Sequence, residues 1–199
     1  MHAIPTKYNG RTYRSRLEAR WAAMFELLKW NVEYEPIDFN GWIPDFVIKG
    51  AEEVFVEIKP TAVFPYDAAN KINKSGCLSE VLMLGYSIPI QDTYANDLYF
   101  GWLREYTGED NHKANECWEP ASFGIWLGQD RVVGNGRVVT GNPNNAIGFC
   151  NTVQSFRDRI TGFYDGGCYG ARIDKALPEV INSYWCEAAN LVQWHKQNA

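Results

Sequence analysis

The chain has 199 residues, of which 46% are hydrophobic, 15% aromatic and 22% charged, and its formal net charge is −5. This composition is typical of a folded globular protein and excludes a disordered chain. The acidic balance argues against a protein that coats nucleic acid non-specifically, although a local basic patch can still contact phosphate. No apolar run approaches the roughly 20 residues that cross a bilayer, so we expect a soluble intracellular protein with no membrane partner.

The first part of the chain predicts a helix followed by three short strands. The helix is predicted over residues 14–30 because apolar side chains recur there at helical spacing, namely Leu17, Trp21, Met24, Phe25 and Leu28. A short strand is predicted over 32–35. Two further strand-like runs, 42–48 and 54–60, flank a short loop that contains Gly50, which is typical of a hairpin.

The middle of the chain predicts a helix over residues 67–83, interrupted near Gly76, and then a strand over 84–90. Beyond residue 92 the pattern is less regular. Apolar and aromatic runs over 98–103 and 123–127 are strand candidates.

The last part of the chain contains a strong hairpin signal. Residues 131–133 and 137–139 flank an Asn-Gly dipeptide at 135–136, which favours the turn type that joins twisted strands. Residues 141–148 read as a polar loop. A final helix is predicted over 179–196, with an apolar face formed by Ile181, Tyr184, Trp185, Ala188 and Val192.

The chain shows no internal repeat and no low-complexity linker, so the sequence marks no firm domain boundary. We predict a compact core over residues 1–92. Residues 93–199 are then an elaboration of the same domain and a candidate region for substrate recognition.

The predicted hairpin carries an acid in each strand. If its loop is symmetric about Ala51, Asp45 lies directly across from Glu57, with side chains roughly 5 Å apart. Two like charges so placed are destabilising unless a positive charge lies between them, and a hard cation such as Mg²⁺ would supply it. Lys59 lies on the same face because strand side chains alternate. The alternative is a solvated sheet face with a fortuitous Glu-Lys pair.

Glu18 is a third candidate ligand, because it borders the apolar face of the first predicted helix and would lie near the sheet. A helix cap explains it equally well. Residues 15–18 fit a capping box, in which the carboxylate of Glu18 would reach back to the backbone of Ser15. Both interpretations remain open from the sequence.

Three motifs in this order resemble the PD-(D/E)XK nuclease superfamily: RSRLEARW at residues 14–21, then Pro44-Asp45, then Glu57-Ile58-Lys59. The chain is most similar to small phage and bacterial members with an RSxxEARW helix. It is more distantly similar to transposon-end endonucleases and Holliday junction resolvases. The resemblance covers roughly residues 8–90. It implies an α/β fold with a restriction-endonuclease-like core, in which helices flank a mixed central sheet, here with a C-terminal β-rich elaboration and a terminal helix.

The resemblance also implies a metal-dependent phosphodiesterase acting on DNA. Glu18, Asp45, Glu57 and the Ile58 carbonyl would hold Mg²⁺, for which Mn²⁺ would substitute, and Lys59 would hold or activate the attacking water. Basic side chains near this site could neutralise backbone phosphates; these are Arg14, Arg16, Arg20, Lys71 and Lys74. An ordinary solvated helix face is the alternative for each of them.

The leading hypothesis is an endonuclease, favoured over an exonuclease, that works in the cytoplasm of the host cell if the chain is phage-encoded. One alternative is a catalytically inactive nuclease-fold module that binds DNA or a protein partner. Another is a structural protein with an accidental E-x-K. RNA as substrate and a homodimeric state remain open.

Overall fold

The computed structural model describes residues 3–88, 98–104, 118–125, 131–133, 137–139, 146–151, 157–162 and 177–193. Within these ranges the chain is an α/β protein with three helices, a mixed seven-stranded open sheet and two small hairpins. The helices are α1 (Arg16–Leu27), α2 (Tyr66–Lys74) and α3 (Leu177–Leu191). The strands are β1 (Thr6–Tyr8), β2 (Arg11–Tyr13), β3 (Val32–Tyr34), β4 (Phe46–Lys49), β5 (Glu53–Ile58), β6 (Glu80–Leu84), β7 (Tyr99–Arg104), β8 (Trp118–Ile125), β9 (Arg131–Val133), β10 (Arg137–Val139) and β11 (Ile147–Asn151).

The large sheet has the strand order β11-β8-β7-β6-β5-β4-β3. Its neighbouring strands are antiparallel except for β5 and β6, which are parallel and therefore need a crossover. Helix α2 lies in that crossover. The strands β1 and β2 pair separately, as do β9 and β10.

Helices cover both faces of the sheet. Helices α1 and α3 pack on one face, where Trp21 and Trp185 join a cluster with Phe46 and Val56 of the central strands. Helix α2 covers the other face through Ile72 and neighbouring small residues. A β-sheet buried on both sides in this way is a normal α/β arrangement. No helix in the described ranges is long and apolar enough to cross a membrane.

Helix α1 is shorter than predicted because local signals end it on both sides. The Oγ of Ser15 accepts a hydrogen bond from the backbone N–H of Glu18 at 3.1 Å, so the helix begins just after Ser15. At the other end Lys29 adopts a left-handed conformation with φ of 59°. The N–H of Trp30 then donates to the carbonyl of Phe25 at 2.9 Å, which is the longer bond of a Schellman motif.

The prediction of a helix over 67–83 followed by a strand over 84–90 was wrong in its second half. Helix α2 ends at Lys74, and Gly76 follows with a left-handed φ of 78°. Strand β6 then occupies Glu80–Leu84 in the middle of the sheet. A strand buried on both faces is a continuous apolar run, which periodicity does not distinguish from a buried helix. Residues 89–90 lie outside the described residues.

The C-terminal half extends the same sheet. Strands β7, β8 and β11 add to the edge of β6, and α3 packs against α1. The strand predicted over 98–103 and the paired strands at 131–133 and 137–139 are confirmed, and the helix predicted from 179 begins at Leu177. The strand candidate at 123–127 corresponds to the end of the longer β8, Trp118–Ile125.

The loop predicted over 141–148 is wrong at its end, because 147–148 pair in β11. The rest of that prediction lies outside the described residues, apart from Ala146. Outside them too are the Asn-Gly turn, residues 126–127 and the final predicted helical residues, 194–196.

Candidate active site

The hairpin of β4 and β5 has the register that the sequence predicts. Phe46 pairs with Val56, and Lys49 pairs with Glu53, so the pairing is symmetric about Ala51. Continued by one residue beyond β4, the same register sets Asp45 opposite Glu57.

The loop of this hairpin is held from outside. The N–H of Ala51 donates to the carbonyl of Ile160 at 3.0 Å, and the N–H of Glu52 donates to the carbonyl of Arg159 at 3.1 Å. Gly50 is needed because a Cβ at this position would lie 2.3 Å from the carbonyl oxygen of Arg159. The close approach of the two backbones therefore helps to fix the loop and, with it, the strand register.

The two acids share the sheet face that α2 covers. Val47 and Phe55 belong to the cluster around Ile72 of α2, and side-chain alternation puts Asp45 and Glu57 on that face. Both residues are buried, with 5% of Asp45 and 7% of Glu57 exposed. Carboxylates are rarely buried to this degree without a partner, so the contacts of each one decide what the pair can do.

Asp45 is held by two donors. Its Oδ2 accepts the backbone N–H of Ile58 at 2.7 Å, and its Oδ1 accepts Nη2 of Arg14 at 2.8 Å. Burial, with a further contribution from the neighbouring charge of Glu57, raises the pKa of Asp45 from 3.8 to about 7. The hydrogen bond from Ile58 opposes this rise but does not cancel it. The negative charge on Asp45 is therefore energetically unfavourable in its buried position.

Glu57 is held by an indole and an ammonium group. Its Oε2 accepts Nε1–H of Trp42 at 2.8 Å, and its Oε1 forms an ion pair with Nζ of Lys59. Trp42 is 1% exposed, whereas the Lys59 side chain is 38% exposed and can reach a bound molecule. The Trp42 contact was not predicted from the sequence. A tryptophan three residues before Asp45 is the only signal, and it does not specify an acceptor.

Glu18 lies near this pair, although it is not the reciprocal partner in a capping box. Its backbone N–H is capped by Ser15, but its carboxylate Oε2 accepts the N–H of Arg14 at 3.2 Å and the hydroxyl of Tyr34 at 2.7 Å. Burial and this hydrogen bond raise the pKa of Tyr34 to about 12. Glu18 is 8% exposed, and its charge contributes to the raised pKa of Asp45.

Arg14 joins the acids of the site. Its Nη2 lies 2.8 Å from Asp45, its Nε lies 2.9 Å from Oε1 of Glu35, and the same Nε lies 3.9 Å from Glu18. The side chain is 54% exposed. Arg14 was predicted as a DNA contact, and its role as a counter-charge to the acids was missed. The four-residue spacing from Glu18 was the available signal.

The other predicted DNA contacts fall into two groups. Arg20 is committed to the interface of α1 and α3, where its guanidinium lies 3.6 Å from the ring centre of Trp185 and Nη2 donates to the Trp185 carbonyl at 2.8 Å. Its guanidinium is therefore engaged within the protein. Arg16 is exposed on α1, and Lys71 and Lys74 are exposed on α2.

The positions of Glu18, Asp45 and Glu57 decide whether they can hold a metal ion together. In the part of the chain that the structure describes, no three His, Cys, Asp or Glu side chains lie close enough together to hold a metal ion. The donor types nevertheless fit a hard cation, since each of these carboxylates has about four acceptor positions and the described donors take two of them. A cation held by all three carboxylates would therefore need them closer together than the structure places them.

Family models, curated proteins and solved structures give no match to this chain. The residues around Asp45 and Glu57 are therefore the basis for inferring what this protein does.

Two substitutions distinguish the helix-capping role of Ser15 from the predicted metal-binding role of Glu18. We expect Ser15→Ala to lower the free energy of unfolding by about 1 kcal/mol, because α1 loses its cap. The Mg²⁺-dependent cleavage of DNA that the resemblance implies should be unchanged in this variant. Glu18→Gln keeps an acceptor for Tyr34 but loses the charge, so cleavage should fall. Chemical denaturation and a cleavage assay measure the two effects. Cleavage by Glu18→Gln at the wild-type rate would make Glu18 a structural residue only.

Proposed function

We propose that this chain is a metal-dependent nuclease with a restriction-endonuclease-like core that hydrolyses phosphodiester bonds of DNA. One observation carries the proposal: two buried carboxylates, Asp45 and Glu57, face each other on one side of the sheet, with the Lys59 ammonium beside them. This arrangement agrees with the resemblance to PD-(D/E)XK nucleases. The mixed sheet with a helix in its parallel crossover is compatible with that core.

The energetics of the pair support a functional interpretation. A pKa of about 7 for Asp45 means that its surroundings in the protein disfavour the charged carboxylate, which water would stabilise. A purely structural hairpin would be more stable with an apolar cross-strand pair at these positions. Strongly perturbed acids of this kind concentrate at functional sites.

The residues then take separate roles. Asp45, Glu57 and Glu18, with the Ile58 carbonyl, would hold Mg²⁺ or Mn²⁺. When bound, such an ion polarises the phosphate and lowers the pKa of bound water. Lys59 holds the attacking water and stabilises negative charge on the phosphate.

Residues around these groups keep them in place and contact the substrate. The indole N–H of Trp42 fixes the orientation of the Glu57 carboxylate. Arg14, whose side chain is 54% exposed, would contact a substrate phosphate beside the acids. Arg16, Lys71 and Lys74 supply exposed positive charge for the DNA backbone. We favour an endonuclease, active in the host cytoplasm if the chain is phage-encoded.

A second candidate is an inactive nuclease-fold module that binds DNA or a protein partner. The observation in its favour is that Asp45 and Glu57 each already form an ion pair, with Arg14 and Lys59 respectively. This candidate predicts binding without cleavage.

Cleavage assays decide between the two. Supercoiled plasmid, linear duplex, circular single-stranded DNA and RNA are each incubated with the protein in Mg²⁺, Mn²⁺ or chelator, beside Lys59→Met. We expect nicking or cutting of a circular DNA in Mg²⁺, none in chelator, and a strong loss in Lys59→Met. Cleavage that survives chelator would refute the mechanism, and a folded protein that cleaves none of these substrates would favour the inactive module.

A further inference from the structure

A pocket of about 430 Å³ lies between the chain at residues 40–42 and helix α2. Lys71, Lys74 and Asn70 line it from the helix, and Asn40, Gly41 and Trp42 line it from the opposite side. This volume falls in the usual range for ligand sites in proteins. We call this feature the α2 pocket.

The α2 pocket presents positive charge and hydrogen-bond donors. Lys71 and Lys74 are three residues apart on α2, so their side chains emerge on the same side of the helix. Neither lysine forms an ion pair within the described ranges, although Asp67 lies one turn before Lys71 and also lines the pocket. The amide of Asn70 adds further donor capacity. Two ammonium groups with no ion-pair partner among the described residues, together with an amide, suit a phosphate group.

The α2 pocket is next to the acid pair. Trp42 lines the pocket, and its Nε1–H donates to Oε2 of Glu57 at 2.8 Å. Trp42 is therefore shared by the pocket lining and the hydrogen bonding of Glu57, and α2 covers the same sheet face on which Glu57 lies. A DNA strand carries one phosphate per nucleotide, so a strand bound at the acids carries further phosphates past the neighbouring pocket.

We propose that the α2 pocket binds a phosphodiester group of the substrate strand, a few nucleotides at most from the phosphate that is cleaved. Lys71 and Lys74 neutralise this phosphate, and the amide of Asn70 donates a hydrogen bond to it. The inference rests on the proposed nuclease function, since it takes the neighbouring acids as the cleavage site. It assigns α2 a positioning role that sets the register of the strand.

Binding measured without cleavage tests this assignment. Fluorescence anisotropy of a labelled single-stranded oligonucleotide is followed over a salt series, in chelator and in an Asp45→Asn background. Adding Lys71→Gln with Lys74→Gln should reduce the slope of log affinity against log salt by roughly 0.7 for each lysine. The loss of affinity between 50 and 200 mM salt should then be about 7-fold smaller than in the background protein. Lys29→Gln, exposed beyond the far end of α1, is the matched control and should leave the slope unchanged.

An unchanged slope in the double variant, or an equal change in the Lys29 control, would overturn the assignment, as would failure of the background protein to bind the oligonucleotide. A parallel titration with inorganic phosphate distinguishes a site for free phosphate, in which Lys71 and Lys74 affect phosphate binding but not the oligonucleotide slope. That result would also overturn it. The nuclease proposal fails under a different result. A reduced slope in the double variant, with no cleavage by the wild type in Mg²⁺, would support phosphate binding by the α2 pocket and refute the proposed nuclease activity.

Discussion

Replacing Asp45 by asparagine is expected to lower Mg²⁺-dependent cleavage of DNA by about 1000-fold or more without unfolding the protein. The amide keeps the size of the side chain and an oxygen for the N–H of Ile58, but it loses the negative charge that would hold a cation. A 1000-fold loss corresponds to ~4 kcal/mol of transition-state stabilisation, which is the scale on which a bound metal acts. Initial rates of plasmid nicking measure the effect.

Glu53→Gln is the control for this substitution. Glu53 lies in the same hairpin and pairs with Lys49, but it is exposed and distant in the register from Glu57. The Glu53→Gln protein should cleave DNA at nearly the wild-type rate. If Asp45→Asn retained more than about a tenth of the wild-type rate, Asp45 would not be a ligand of the catalytic cation, because one metal-binding charge is worth far more than the ~1.4 kcal/mol of a tenfold change.

The second large effect is on stability as a function of pH. Asp45 ionises near pH 3.8 in the unfolded chain and near pH 7 in the folded protein, because burial and then Glu57 disfavour its charge. Between these values the folded state binds more protons, so the contribution of Asp45 to the free energy of unfolding decreases as pH rises from about 4 to 7. The full difference is of the order of 4 kcal/mol, and we expect a decrease of ~2–4 kcal/mol.

Urea denaturation of wild type and Asp45→Asn in chelator, from pH 4 to 8, measures this contribution. The variant lacks the titrating group, so it should be the more stable protein at pH 8 and similar to the wild type at pH 4. Glu53→Gln should follow the wild type. Parallel stability curves for wild type and Asp45→Asn would mean that the Asp45 carboxyl is not destabilised by its surroundings, and the energetic support for a functional site would be lost.

The part of the site that lies on the hairpin could be predicted from the sequence. Its signals are local: alternating side chains, a short loop with Gly50, and apolar runs on both sides. These determine a register, and the register determines that Asp45 faces Glu57 with Lys59 on the same side. The apolar stripe of α1 was also sufficient to place that helix, although its ends depended on Ser15 and on the backbone at Lys29.

The rest depended on contacts between distant segments. The sequence shows that Arg14 is basic, but it does not show that Arg14 forms ion pairs with Asp45 and Glu35. Those contacts follow from the path of the chain between β2 and α1. Trp42 reaches Glu57 only because the chain before β4 folds back onto α2. Strand β6 was missed because burial on both faces removes the alternation that identifies a strand. Sequence patterns report local periodicity, and these features are set by tertiary packing.

Calorimetric titration of Mn²⁺ into the wild type, Asp45→Asn and Glu57→Gln, at pH 8 and without nucleic acid, tests the central claim most directly. Asp45, with a pKa of about 7, is ionised at this pH, and we expect saturable binding of one or two ions, with loss of most of the affinity in either variant. Glu53→Gln should bind as the wild type does. Equal binding by all four proteins, or binding by none, would contradict a cation site at Asp45 and Glu57.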